Sequence, residues 1–217
     1  TETEIDAAEP PDPDYDPSVA DVNMLEDKLP DWFRLPAISA GFTFLIGLTF
    51  FFFDRLRQIA HTDVWGHLSY GRQLWETGVI PSTEPLMPLS AGVPFVNSAW
   101  LSQLIAYAGY LVVGKAAITF LFATCVAATL AVLTRQIYNR THSAMLALGG
   151  FALIMWVEFQ QLLVQRPQIV GFLFYGVLLS IILRREWSKK TWLIVPIMFA
   201  LWANMHGSFV VGLGLLG

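Results

Sequence analysis

From residue 35 onward the chain alternates long apolar runs with short polar breaks, and these runs predict transmembrane helices. Leu35–Phe53 holds nineteen residues without a charge, enough for a hydrocarbon core of about 30 Å. Asp54, Arg55 and Arg57 end it. Ala116–Thr134 is a second clear run, closed by Arg135 and Arg140. Ser143–Val157 is apolar up to a corner rich in polar groups: Glu158, Gln160, Gln161, Gln165 and Arg166. Pro167–Leu183 follows, closed by Arg184, Arg185, Lys189 and Lys190. Thr191–Gly217 is apolar except for Asn204-Met205-His206-Gly207-Ser208 in its middle. The pattern predicts an all-α fold, a polytopic transmembrane helical bundle of about five to six spans.

Two segments between the first and second runs differ. Val64–Thr77 places Val64, Trp65, Leu68, Leu74 and Trp75 at roughly helical spacing, which predicts an amphipathic helix at the membrane surface. Gly78 stops it, and Pro81, Pro85, Pro88, Gly92 and Pro94 predict an irregular loop. Ala99–Val113 is apolar but only fifteen residues long, roughly 22 Å at 1.5 Å each, which is short for a span. Gln103 and the tyrosines suit an interfacial helix. Residues 1–34 carry acids and five prolines and predict a disordered tail, with a short helix near 23–28.

Charge sharpens this division. Residues 1–35 hold eleven of the seventeen acids and two of the thirteen bases, so the net charge of −4 belongs to the tail and the rest is basic. Only 14% of the residues are charged, against about 25% in soluble domains. The cluster Arg184–Lys190 places that connection in the cytoplasm by the positive-inside rule. Counting back puts the Glu158–Arg166 corner and Lys115 outside. If Ala99–Val113 does not span, Gln58–Lys115 is one large external loop with interfacial helices and the tail is cytoplasmic. Length favours that topology; Arg55 and Arg57 oppose it. The single cysteine, Cys125, excludes an internal disulfide and reads as a small packed residue. No phosphate-binding Gly loop, metalloprotease or nucleic-acid motif is present. The chain opens without Met and ends inside an apolar stretch, which suggests a piece of a longer protein.

Three strings carry chemistry. In His61–Leu68, Asp63 can serve as a general base or a metal ligand, or can cap the amphipathic helix at its start. His61 and His67 are not at ligand spacing on one helix face and read as interfacial histidines. Arg166, before Pro167, can pair bidentately with a phosphate or anchor at a membrane boundary; Gln165 and its neighbours add donors. Asn204, His206 and Ser208 inside a span need partners, and His206 is either site-facing or a helix–helix contact.

Asp63–Arg72 with Gly78-Val79-Ile80-Pro81, then Asn97–Leu101, Arg166-Pro167-Gln168 and Trp202–Gly207 together resemble bacterial membrane glycosyltransferases of the GT-C type. That group includes protein O-mannosyltransferases and aminoarabinose transferases. The likeness covers residues 35–217 and corresponds to the N-terminal half of a usual member. It implies a polyprenyl-phosphate sugar donor, an acceptor on the outer face of the inner membrane, and a divalent metal such as Mg or Mn. Asp63 matches the carboxylate of the first external loop. Arg166, and after it Arg72 and His206, are the counterparts of donor-phosphate residues; His67, Glu158, Gln165 and Asn204 line the site. The chain departs in having no acid next to Asp63, with Glu76 and Glu84 the nearest after it. A non-catalytic subunit that docks a protein through the acidic tail, and a transporter with a broken last helix, are the other two readings; nucleic acid is not an expected partner.

Overall fold

A computed structural model describes residues 37–55, 63–184 and 186–217. The tail with its expected short helix, Arg57, His61 and Arg185 lie outside these residues. The chain divides into units Thr1–Ala40 and Gly41–Gly217. Of the first, the described part is the opening turn of a helix. Everything below concerns the second.

The elements are α1 (Ala37–Arg55), α2 (Asp63–Thr77), a 3-10 turn at Pro88–Ser90, α3 (Trp100–Val113), α4 (Lys115–Thr141), α5 (Ala144–Leu162), α6 (Gln168–Ile182), α7 (Lys189–Met205) and α8 (Phe209–Leu216). The described residues are thus all-helical, apart from an isolated bridge between Thr83 and Pro94. α1, α4 and α5 are each long and apolar enough to cross a membrane; α3 and α6 are shorter apolar helices.

The ends of the helices shift from the apolar runs for a simple reason. Hydrogen bonding, not hydropathy, ends a helix. α4 carries on through Arg135 and Arg140 to Thr141, and His142 closes it in the left-handed region. α5 begins where the Ser143 hydroxyl accepts from the Leu146 N–H, and it runs on through Glu158 and both glutamines to Leu162. Glu158 is therefore inside a helix and not in the connection expected for it.

α1 and α4 run antiparallel. Phe42 meets Tyr138 and Phe50 meets Phe120, each edge-on with centroids 5.5 Å apart. Phe53, Phe122, Ala123, Val126, Leu130, Leu162 and Ile169 form the core where α1, α4, α5 and α6 meet. Lipid tails are as apolar as these side chains. Such a core gains from close packing more than from leaving water. At the far end Arg140 donates to the Leu183 carbonyl, tying the last turns of α4 and α6 together.

The other end of the bundle is capped by α2 and α3. Val64 and Leu68 of α2 pack on Ile118 in the first turn of α4, with Ala106, Tyr107 and Tyr110 of α3 around them. Lys115 sits over the Trp65 ring at 5.3 Å. The α3 start also meets the α7 end, where the Ser102 hydroxyl donates to the Met205 carbonyl at 2.9 Å. Both ends of α3 therefore lie at one end of the bundle. Gly114, at φ 65°, makes the sharp corner into α4.

The last apolar run is not one helix. The chain breaks at His206-Gly207-Ser208, and α8 turns back along α7. A Cβ on Gly212 would lie 2.4 Å from the Trp202 ring, and Leu215 joins the Leu178–Met198–Trp202 cluster. His206 thus sits at a helical corner near α3, not midway along a span as its place in the run implied.

Gly71 brings α2 directly against the α3 backbone. A Cβ there would stand 2.3 Å from the Gln103 carbonyl oxygen, a backbone atom that cannot move aside. Gly71→Ala should cost about 1–3 kcal/mol of stability, as overpacking does. Thermal unfolding in detergent should show the loss, while Gly66→Ala, where a Cβ meets nothing, should not.

Candidate functional site

The site is assembled from helix ends. Asp63 lies in the first turn of α2, where the helix dipole favours an acid. His67 follows at i+4 on the same face. Arg166 lies between α5 and α6, just ahead of Pro167. Its Nε is 3.1 Å from Asp63 Oδ2. The side chains are 32% and 46% exposed, so this pair is reachable from outside the bundle.

Beside the pair is a cavity of about 280 Å³ with an almost wholly apolar wall. His67, Gln165 and Arg166 are among its few polar lining residues; Ile169, Leu173 and Phe174 of α6 are among the apolar ones. Cys125 also faces it, half-buried against the core. A second cavity, of about 510 Å³, lies between α4, α5, α6 and the α7–α8 corner. Glu158 lines this second cavity and not the first.

Behind His67 runs a buried relay whose direction is fixed. The Ala99 N–H donates to Asn97 Oδ1 at 3.2 Å, so Asn97 must present its Nδ2 elsewhere. That Nδ2 donates to Gln103 Oε1 at 2.6 Å. Gln103 then has only its Nε2 for His67 Nδ1, 3.0 Å away. His67 Nδ1 is therefore the acceptor, and neutral His67 carries its proton on Nε2. Gln103 is 3% exposed and has both ends used. Burial lowers the His67 pKa below the ordinary 6.5; Asp63 pulls it up and His206 pushes it down further.

The α7 corner is held against α3 by similar bonds. Trp100 Nε1 donates to Asn204 Oδ1 at 2.7 Å. Ser208 N–H donates to His206 Nδ1 at 3.1 Å, and Trp202 Nε1 to the Ser208 hydroxyl at 3.0 Å. Asn204 and His206 are thus structural partners at the rim of the site, close enough for His206 to act on His67. Arg72 is not brought into this group. Its Nε pairs with Glu76 at 2.7 Å on the exposed side of α2.

Two residues were not legible as part of the arrangement. Gln103 is the one amide side chain in the fourteen residues of α3, and that isolation was its only signal. Glu84 is the one charged residue between Glu76 and Lys115. It is 8% exposed and organises the loop after α2. The Tyr70 hydroxyl and the Leu86 and Met87 N–H groups donate to it at 2.8 to 3.0 Å. Burial alone would raise its carboxyl, but these bonds outweigh it and hold the group below the ordinary value. The same burial and contact push the Tyr70 hydroxyl up to about 12.

Among the described residues, no three His, Cys, Asp or Glu side chains come together. A Mg or Mn ion takes about six oxygens, several from carboxylates. Asp63 supplies one carboxylate, and Arg166 already stands on it. The described residues do not compose such a site.

Fold and site define a helical membrane protein with an aspartate, a histidine and an arginine at one end of its bundle, beside an apolar cavity. Set against protein-family models, curated proteins and solved structures, the chain matches none of them.

The lowered His67 pKa predicts a pH dependence. His67 binds a proton near pH 6.5 when unfolded and less readily when folded, so stability should fall as pH drops below about 6.5. Unfolding in detergent at pH 7.5 and pH 5.5 should show the loss. His67→Gln should reduce the slope over that window, and the remainder comes from His206, which burial shifts in the same direction. The Glu84 contribution is lost only below its ordinary 4.5 and does not overlap.

Proposed function

We propose that this chain is the core of a GT-C-like glycosyltransferase, which moves a sugar from a polyprenyl phosphate to a hydroxyl acceptor at the outer face. The carrying observation is the 3.1 Å pair between Asp63 and Arg166 at the edge of an apolar cavity that Arg166 itself lines. A lipid phosphate needs an apolar slot for its chain and a cation at the mouth for its head. Arg166 and the cavity supply both.

The pair also suggests an order of events. At rest, Arg166 neutralises Asp63. When the donor enters, its phosphate draws the guanidinium, which binds phosphate oxygens well, and leaves Asp63 as a base. The acceptor oxygen then attacks the anomeric carbon, its proton passes to Asp63, and the bond from that carbon to the phosphate oxygen breaks. Arg166 stabilises the charge that gathers on the departing phosphate. His67, presenting Nε2–H, is placed to donate a hydrogen bond at the same edge. This reading takes α1 as a span and α2 and α3 as interfacial helices of an external loop, with the tail on the cytoplasmic side. The contacts of Lys115 and Arg166 with α2 support one shared face for these parts.

A second reading has one observation in its favour. Asp63 in a helix first turn, already matched by an arginine, can be a brace in a non-catalytic subunit. Ion pairs this exposed are worth only about 0.2–1 kcal/mol, which makes a brace a weak reason for the pair.

Membranes holding the protein, supplied with radiolabelled polyprenyl-phosphate sugars and a membrane extract as acceptor, should transfer label. Asp63→Asn should lower transfer about 10²–10⁴-fold with normal insertion, as loss of a general base does. Arg166→Lys should keep the charge but lose bidentate binding, and raise the donor concentration needed. Transfer by Asp63→Asn at the unaltered rate would refute the proposed base.

A further inference from the structure

The loop between α2 and α3 has its polarity reversed for a segment in water. Its two largest polar side chains, Glu84 and Asn97, are buried, and so are Ser102 and Gln103 at the start of α3, while the small Ser82, Thr83 and Ser98 stay exposed. Its apolar side chains face out. Leu89 is fully exposed and Val96 is 91% exposed; Val79, Ile80, Met87 and Val93 are each at least half exposed. From Thr77 to Gly114 the one charged residue is Glu84, and it is sequestered by Tyr70 and two backbone N–H groups.

Part of the backbone is tied up as well. Glu84 N–H donates to the Val93 carbonyl at 2.8 Å and Phe95 N–H to Ser82 at 2.9 Å, while Tyr70 stacks on Phe95. Each polar group bonded inside the loop costs less to take out of water.

The exposed apolar surface also continues into the lipid-facing belt. Trp75, just ahead of the loop, packs edge-on against Tyr107 of α3. The outer side of α3 carries Leu111, Val112 and Val113, all exposed. Val112 and Val113 line one shallow groove with Phe120 on α4, a helix long enough to cross the membrane.

We infer that the loop Val79–Val96 is a membrane-inserted anchor, with Leu89 and Val96 in the acyl region of the leaflet beside the site. The occupant of this surface is lipid. A partner protein would be expected to meet a polar rim around an apolar centre, and the stretch from Thr77 to Gly114 exposes no charged side chain, with Asp54 at the edge of the groove between α3 and α4. Anchoring would hold the mouth of the 280 Å³ cavity at the depth of the lipid headgroups. The inference does not depend on sugar transfer.

A nitroxide label on Leu89→Cys in a Cys125→Ala background tests it, with the protein in phosphatidylcholine–phosphatidylglycerol vesicles. Collisions with oxygen, which concentrates in lipid, should exceed those with a water-soluble nickel chelate several-fold. A label at Phe120→Cys gives the lipid reference. A second label at Val96→Cys guards against a local disturbance at Leu89. Preferential collision with the nickel chelate at both loop positions would overturn the anchor. So would an immobile label that neither reagent reaches, which would mean that protein covers the loop.

Discussion

A polar side chain that is kept from water must find its partner inside the protein, and that constraint shapes the end of this bundle. Gln103 shows it most plainly. Within an otherwise apolar helix it is buried, one end held by Asn97 and the other by His67. The bond to His67 joins α3 to α2. The neighbouring Ser102 joins α3 to α7 through the Met205 carbonyl. Gly71 permits the first of these, because α2 can then lie directly against the α3 backbone. With a side chain at 71 the helices would part, and the Gln103–His67 distance of 3.0 Å would open first.

The same constraint sets the chemistry. Asn97 is oriented by a backbone N–H, Gln103 by Asn97, and His67 by Gln103. A histidine held this way cannot take a proton on Nδ1 without turning the whole relay against its own donors. The relay therefore acts on the proton of His67, while Arg166 acts on the charge of Asp63. His67 and Asp63 are thus each set by a different neighbour. That is how groups of opposite demand can share one small region without collapsing into a single neutral cluster.

Much of the helical layout was legible because bilayer crossing demands length and apolarity, and these are written in consecutive residues. Helices of spanning length cover Ala37–Arg55, Lys115–Thr141 and Ala144–Leu162, where the three apolar runs predicted them. Helix ends were less legible, since α4 outlasts its apolar run at Arg135 and α5 outlasts its own at Glu158. The reversal at His206–Ser208 was legible only as a polar interruption. Nothing local distinguishes a polar kink within a span from a corner; the packing of Gly212 on Trp202 decides it. Within the site, Asp63, His67, Gln165 and Arg166 were visible as candidate groups near helix starts. The meeting of Asp63 and Arg166 was visible only through topology. Gln103 and Glu84 were invisible as partners, because a buried polar residue in an apolar stretch does not say what it bonds.

The groups that can do chemistry lie at helix ends and not at helix centres. Asp63 opens α2, Gln103 is in the first turn of α3, Arg166 precedes α6, and Asn204 and His206 close α7. A helix centre in lipid has its backbone bonds made and rewards apolar side chains on every face. A helix end has open N–H or carbonyl groups and a partial charge, so polar side chains cost less there and can serve as caps or partners. Four sequence-distant strings thus converge without a charge being buried mid-membrane. The Asp63–Arg166 pair is partly exposed, and the cavity beside it has an almost wholly apolar wall. The lipid phosphate proposed as donor would need such unlike surroundings within one ligand length. The end of a helical bundle is where the fold supplies both.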